Sequence, residues 1–306
     1  PLERTLEDDR VVYPHVTIEI DRDLGVAEIM VRGPVSAPPS SIDEICAKGV
    51  DFWPLALARE LDDMILHLRA NEDDIGVWVF RTAGDSDFVA LADTALQEHA
   101  DHWLVREIVL YLKRTLKRLD VTSRSMIALI EPGSCFTGTL FEVALAADRS
   151  YMLDGRMDGD NRPPPTVHLT AMNFGPYTMS NGLTRLSTRF LGDPDARDNA
   201  RDQTGTHVTG LDAESLGLVT FAPDDIDWED EVRIALEERA GFSPDALTGL
   251  EANLRFPGPE TMETRIFARL TAWQNWIFQR PNAVGDGGAL QLYGTGDQAK
   301  FDKHRV

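Results

Sequence analysis

The 306 residues carry 51 acidic against 30 basic side chains, a net charge of −21, with 42% hydrophobic and 26% charged residues. That composition is one of a soluble globular chain long enough for one large domain or two ordinary ones, and its field repels nucleic acids and anionic membrane surfaces. No apolar run approaches the ~18 to 20 residues of a membrane span, so nucleic acid and membrane are excluded as expected partners and the expected location is cytoplasmic.

Residues 1–14 are charged where a signal peptide is apolar. They read as a linker, and a start at Pro1 suggests a piece of a longer protein. In "HVTIEIDRDLGVAEIMVRGP" apolar and polar residues alternate on both sides of "DRDLG", which predicts a β-hairpin over residues 15–20 and 26–32. "PVSAPPSS" is a loop, and helical order begins at Ser41. "FWPLALARELDDMILHLRANE" then places Leu57, Leu61, Ile65 and Leu68 on one helical face. "DIGVWVFRT" is a short apolar strand of the kind buried on both faces of a parallel sheet. "AGDSDFVALADTALQ" reads as a loop leading into the amphipathic helix "HWLVREIVLYLKRTLKRLD". "SMIALIEPG" is a second buried strand, and "TLFEVALAADRSYML" returns through a helix to another. With right-handed crossovers this order predicts an α/β fold.

"DGRMDGDNRPPPT" breaks the pattern as a surface loop, because three consecutive prolines cannot continue a helix or a central strand. A strand–turn–helix follows over "VHLTAMNFGPYTMSNGLTRLSTRFLG", then a helix, a strand and a helix over "DAESLGLVTFAPDDIDWEDEVRIALEERA". "PETMETRIFARLTAWQNWIFQRPNAVG" predicts a long helix ended at Arg280-Pro281. Its Phe267, Leu270, Trp273, Trp276, Ile277 and Phe278 are too many large side chains for one exposed face, and an oligomer interface is expected there. The expected organisation is therefore a linker over 1–14, an α/β core over 15–222, a C-terminal helical region over 223–284 and a weakly ordered tail over 285–306.

Few residues point to chemistry by themselves. Cys46 and Cys135 lie far apart and read as structural thiols rather than a disulfide or zinc pair. Ser134 and Cys135 have no adjacent His and no G-x-S-x-G elbow around them. His99 and His102 lack the H-E-x-x-H context and a third ligand, so no metal is expected. Glu131 precedes Pro132 at a strand end, where ligand sites of α/β sheets gather and where loop acids are also common. Glu142 is a helical acid that reads either as a proton-transfer group or as a buried, paired structural carboxylate. Asn173 and Tyr177 flank "FG" and read first as structural hydrogen-bonding groups.

Two stretches resemble the crotonase (enoyl-CoA hydratase/isomerase) superfamily. "FVALAD", Phe88 to Asp93, is similar to its F-x-x-G-A-D segment, and "EPGSCFTGTLFE" to its N-G-x-x-x-G-G-G-x-E turn and helix. The resemblance implies a crotonase-like ββα spiral with a C-terminal helical region. It also implies backbone N–H donors at Ala92 and Thr139 that polarise a thioester carbonyl, Glu142 as the acid–base group, and no metal or redox cofactor. Three departures bear on that chemistry. Leu91 replaces a glycine, "TGTL" stands for the triple glycine, and the family's second glutamate falls on Ala171. Hydration by a paired acid and base then lacks a partner.

Longer stretches, among them "FWPLALARELDDMILHLR" and "FAPDDIDWEDEVRIALEERAGFSPDALTGLEANLRFPGPETMETRIFARLTAWQNWIFQRPNAVG", resemble the C-terminal half of a branch with two crotonase-like halves. That branch opens the ring of 2,3-epoxybenzoyl-CoA with water, releasing formate and a semialdehyde thioester in aerobic benzoate degradation. The resemblance implies an acyl-CoA substrate for the full-length protein, an N-terminal crotonase-like half as partner, and a homo-oligomer. For this half alone it leaves open a noncatalytic scaffold or a free-standing enoyl-CoA hydratase.

Overall fold

The computed structural model describes residues 1–304. Seven strands form one sheet in chain order: β1 (Thr5–Leu6), β2 (Arg10–Val12), β3 (Val16–Asp21), β4 (Val26–Arg32), β5 (Val77–Ala83), β6 (Ser125–Ile130) and β7 (Arg149–Met152). The first four pair antiparallel and the last four parallel. The expected hairpin is β3–β4, with Val16 opposite Val31 and Asp21 opposite Val26. Its turn closes through Gly25 at φ 75°, whose N–H donates to Asp21 O at 2.8 Å. Residues 1–14 are not a linker, because β1 and β2 extend the antiparallel edge and bury Val11 and Tyr13.

Alternation along β5 explains its apolar run. Trp78 and Phe80 enter the core beneath α1 (Ile42–Lys48), α2 (Trp53–Asn71), α3 (Ser86–Glu98) and α4 (Trp103–Asp120). Val77 and Val79 face the opposite layer with Ile127, Leu129 and Trp228. Both faces are covered, as the uninterrupted hydrophobicity requires. Leu57, Leu61, Ile65 and Leu68 of α2 are all buried at their three- and four-residue spacing. On α4 the same holds for Val105, Ile108, Leu112, Leu116 and Leu119.

One expected loop is a helix. Asp85 caps α3 by accepting from Asp87 N at 2.8 Å, and Val89, Ala92 and Leu96 line its buried face. The turn-forming residues of "AGDSD" supply that cap rather than a longer loop.

Beyond α5 (Gly138–Ala146) the chain forms β8 (Val167–His168), α6 (Arg185–Arg189), α7 (Pro194–Asp202), β9 (His207–Val208) and α8 (Gly210–Ser215). β8 and β9 pair as a separate two-stranded sheet. The strand expected in "LGLVTFA" is reduced to a single bridge between Tyr151 and Phe221.

The C-terminal helices are α9 (Trp228–Gly241), α10 (Pro244–Arg255), α11 (Met262–Thr264), a π-helical stretch Arg265–Leu270, α12 (Thr271–Ile277), α13 (Pro281–Val284) and α14 (Ala289–Leu292). Arg255 fastens α10 to the core, donating to both carboxylate oxygens of Asp148 at 2.9 and 2.6 Å. Arg269 caps the end of α10 through the carbonyls of Ala252, Asn253 and Phe256. Gly249 admits Ile277 and Trp273, since a Cβ there would stand 3.0 Å from Ile277 Cδ1. Part of the expected apolar face thus packs on α10, while Phe267, Leu270 and Phe278 stay exposed. The tail is attached, with Asp302 N donating to Asn282 Oδ1 at 2.8 Å and Asn282 Nδ2 to Asp302 O at 3.0 Å. No helix among the described residues is long and apolar enough to cross a membrane.

Candidate functional site at the turn before α5

Strand β6 ends at Ile130, and the chain turns through Gly133 at φ 89° and Gly138 at φ 43° before entering α5. Gly138 has no room for a side chain. A Cβ would fall 1.8 Å from Asp93 Oδ2 and 2.5 Å from Thr170 Oγ1. The space is taken by the carboxylate of Asp93, which is 1% exposed.

Asp93 Oδ2 accepts from Thr139 N at 2.9 Å and from Thr170 Oγ1 at 2.7 Å, while Thr139 Oγ1 donates to Asp93 Oδ1. The Thr139 N–H, expected to serve as an oxyanion donor, is therefore satisfied by an acid of the chain itself. Ala92, the expected second donor, is wholly buried in the interior of α3, where an amide belongs to the helical i→i−4 ladder. The two amides do not converge on an open cavity. Leu91 is 49% exposed on the outer face of α3, so of the two bulkier residues only Thr139 projects into this space. Burial pushes the Asp93 carboxyl up to about 6, against the lowering effect of the hydrogen bonds from Thr139 and Thr170.

Glu142 lies one helical turn further on and is fully buried. Its Oε1 accepts from Asn173 Nδ2 at 2.8 Å and its Oε2 from Arg185 NH1 at 2.8 Å. Arg185 also grips Asp120 through both oxygens, at 2.9 and 2.7 Å from NH2. Burial raises the carboxyls of Glu142 and Asp120, and Arg185 pulls each back. Burial alone would lower the Arg185 guanidinium, but its two carboxylates more than compensate and hold it protonated. Asn173 donates in addition to Gly138 O at 2.9 Å, and Tyr177 OH meets Thr139 Oγ1 at 3.0 Å. One continuous buried network thus joins Asp93, Thr139, Thr170, Asn173, Glu142, Arg185 and Asp120. The expected structural hydrogen bonding of Asn173 and Tyr177 is part of it. Ala171, at the position of the family's second acid, is exposed.

Glu131 stands apart, half-buried above the ends of β5 and β6, and ion-pairs with Arg81, which also meets Glu28 at 3.4 Å. It borders a cleft of about 200 Å³ with Gly133, Ser134 and Arg162. Neighbouring Cys135 is buried and its thiol is pushed up to about 11, chiefly by burial, which makes it a packing group and a poor nucleophile.

A larger cleft, about 310 Å³, opens behind α5 between Asp120, Asp148, Arg185, Arg189, Arg239 and Arg255. Asp93, Thr170, Asp120 and Arg185 were not singled out from sequence. The available signal was the spacing of Asp93 from Val89 and Leu96, which sets an acid on the buried face of α3.

The architecture is the crotonase fold. Across 99% of the chain and 100% of the other it superposes on an enoyl-CoA hydratase of Geobacillus kaustophilus with a TM-score of 0.65 at 18% identity. An enoyl-CoA hydratase/isomerase of Marinobacter aquaeolei matches 94% of the chain with a TM-score of 0.62 at 16% identity, covering 98% of that protein. In sequence the chain is 53% identical over 305 residues, 100% of its length, to the benzoyl-CoA-dihydrodiol lyase of Aromatoleum evansii. The match covers 54% of that protein, so the chain spans about half the length of this curated relative. No family model matches the chain.

Proposed function

We propose that this chain is the C-terminal half of a cytoplasmic, two-part crotonase-fold lyase that opens the ring of 2,3-epoxybenzoyl-CoA with water, and that this half serves as scaffold and assembly surface. The observation that carries the division of labour is the hydrogen bond from Thr139 N to Asp93 Oδ2 at 2.9 Å. In a working site of this fold, convergent N–H donors face a developing thioester oxyanion, and one such donor contributes ~2.7 to 4 kcal/mol to the transition state. Here that donor is already satisfied, and an anion held against it disfavours a second negative charge. Glu142, sealed between Asn173 and Arg185, has no route to a substrate proton. The whole-length similarity to a relative named as the dihydrodiol lyase supports the substrate class, an acyl-CoA thioester of the complete protein. A free-standing hydratase is disfavoured because Ala171 supplies no second acid.

Calorimetric titration of this chain with a nonreactive benzoyl-CoA analogue tests the reading. No saturable heat is expected. Tight binding, accompanied by turnover that Glu142→Gln abolishes, would overturn the scaffold assignment. The full-length protein is expected to release formate from the epoxide, measured by coupled formate oxidation.

A further inference from the structure

Three ligand-bearing side chains outside the buried network meet where β8 pairs with β9. His168 and His207 are direct register partners, with ring centroids 4.7 Å apart. Asp87, in the first turn of α3, brings its Oδ1 to 3.4 Å from His207 Nε2. One donor atom from each of Asp87, His168 and His207 lies within 4.8 Å of the other two.

The second sphere and the burial support a ligand role. His207 Nδ1 stands 3.2 Å from Thr166 Oγ1, a contact that fixes the ring with Nε2 directed at Asp87. Metal-bound imidazoles are held in this way by a partner on the other ring nitrogen. His168 is only 7% exposed, and its buried Nδ1 has no hydrogen-bond partner among the described residues. A buried polar atom left unpaired is costly unless something else occupies its lone pair.

We propose that Asp87, His168 and His207 form a binding site for a divalent transition-metal ion of the zinc class, with two imidazoles and one carboxylate as ligands and the remaining position open to water. Imidazole donors suit zinc and its neighbours, whereas calcium and magnesium take oxygen ligands, so the donor set discriminates against the hard cations. Around a tetrahedral ion with bonds of ~2.0 to 2.1 Å, neighbouring donor atoms stand roughly 3.4 Å apart. The His207–Asp87 spacing already has that value, and the donor atom of His168 lies within 4.8 Å of both. A bound ion would tie α3 to the β8–β9 sheet. His168 bridges to Thr137, the residue before Gly138, so the same ion would brace the turn occupied by Asp93.

The test uses the whole chain, stripped with a chelator and titrated with zinc chloride against a chromophoric competitor. In parallel, cobalt(II) chloride reports its ligands through visible absorption bands. One ion per chain is expected. The side chains of His207 and Asp87 are 45% and 75% exposed, so His207→Ala and Asp87→Ala should fold, as far-UV circular dichroism would verify. Each is expected to weaken zinc binding by more than about tenfold and to bleach or shift the cobalt bands. Asp87→Asn, which removes charge without volume, is the second variant should the alanine change perturb folding. The proposal is overturned if the wild-type chain takes up no more zinc than a chain carrying both His207→Ala and Asp87→Ala, or if the cobalt spectrum survives both substitutions and so reports other histidines.

Discussion

Replacing Asp93 by asparagine separates charge from shape at the turn before α5. The amide fits the same hydrogen bonds. Its oxygen, placed where Oδ2 lies, accepts from Thr139 N and Thr170 Oγ1. Its NH2, placed where Oδ1 lies, donates to Thr139 Oγ1, whose own proton turns to Tyr177 OH at 3.0 Å. What disappears is the cost of ionising a carboxyl sealed from water. In the folded chain this carboxyl is raised from 3.8 to about 6, so the native state binds the proton more tightly than the unfolded state does. The wild-type chain is therefore relatively most stable below the ordinary aspartate value and loses stability as pH rises through about 6. A rise of that size corresponds to about 3 kcal/mol. Near pH 4 the two proteins should unfold at similar urea concentrations, within about 1 kcal/mol. By about pH 8 Asp93→Asn should be the more stable by about 3 kcal/mol relative to its standing in acid. Urea unfolding followed by circular dichroism at several pH values measures the difference. A gap between variant and wild type that stays constant from acid to alkaline conditions would refute the argument, since it would mean that Asp93 is not an unwillingly ionised group.

Two further outcomes are expected. Arg185→Met strands Glu142 and Asp120 without their shared cation and should destabilise the chain by about 3 to 5 kcal/mol, read from the shift in urea midpoint at neutral pH. Phe267→Glu, at a side chain 75% exposed on the π-helical stretch, should leave stability within about 0.5 kcal/mol and lower the sedimentation coefficient through loss of the proposed oligomer contact. An unchanged coefficient from an oligomeric parent would move that contact elsewhere.

The sheet was legible because its strands report their surroundings. Alternation marks β3 and β4, which have one partly solvated face, and unbroken apolar runs mark β5 and β6, which have none. Helices α2 and α4 announce themselves through leucines at three- and four-residue spacing. Helix α3 was misread because its cap, "AGDSD", consists of residues that also build loops, and its buried stripe contains an acid. That misreading concealed the centre of the site. An aspartate in a helix is ordinarily solvated, and nothing local to Asp93 reveals that Thr139 and Thr170, far along the chain, will surround it. The glycine replacements in "FVALAD" and "FTGTL" were visible, as was the missing acid at Ala171. The carboxylate that takes up the vacated space required three dimensions. The pairing of His168 with His207 is equally hidden, since it depends on a two-residue strand meeting another across a long insertion.

The position of Asp93 also sets a mass-action problem for any acyl ligand. A group carried on a packed helix is a tethered competitor whose local concentration far exceeds the millimolar values that flexible linkers give, and it cannot diffuse away. A visiting thioester carbonyl would have to evict a resident already held by Thr139 and Thr170. An acyl ligand at the Thr139 amide would therefore need a concentration raised in proportion to that local competitor.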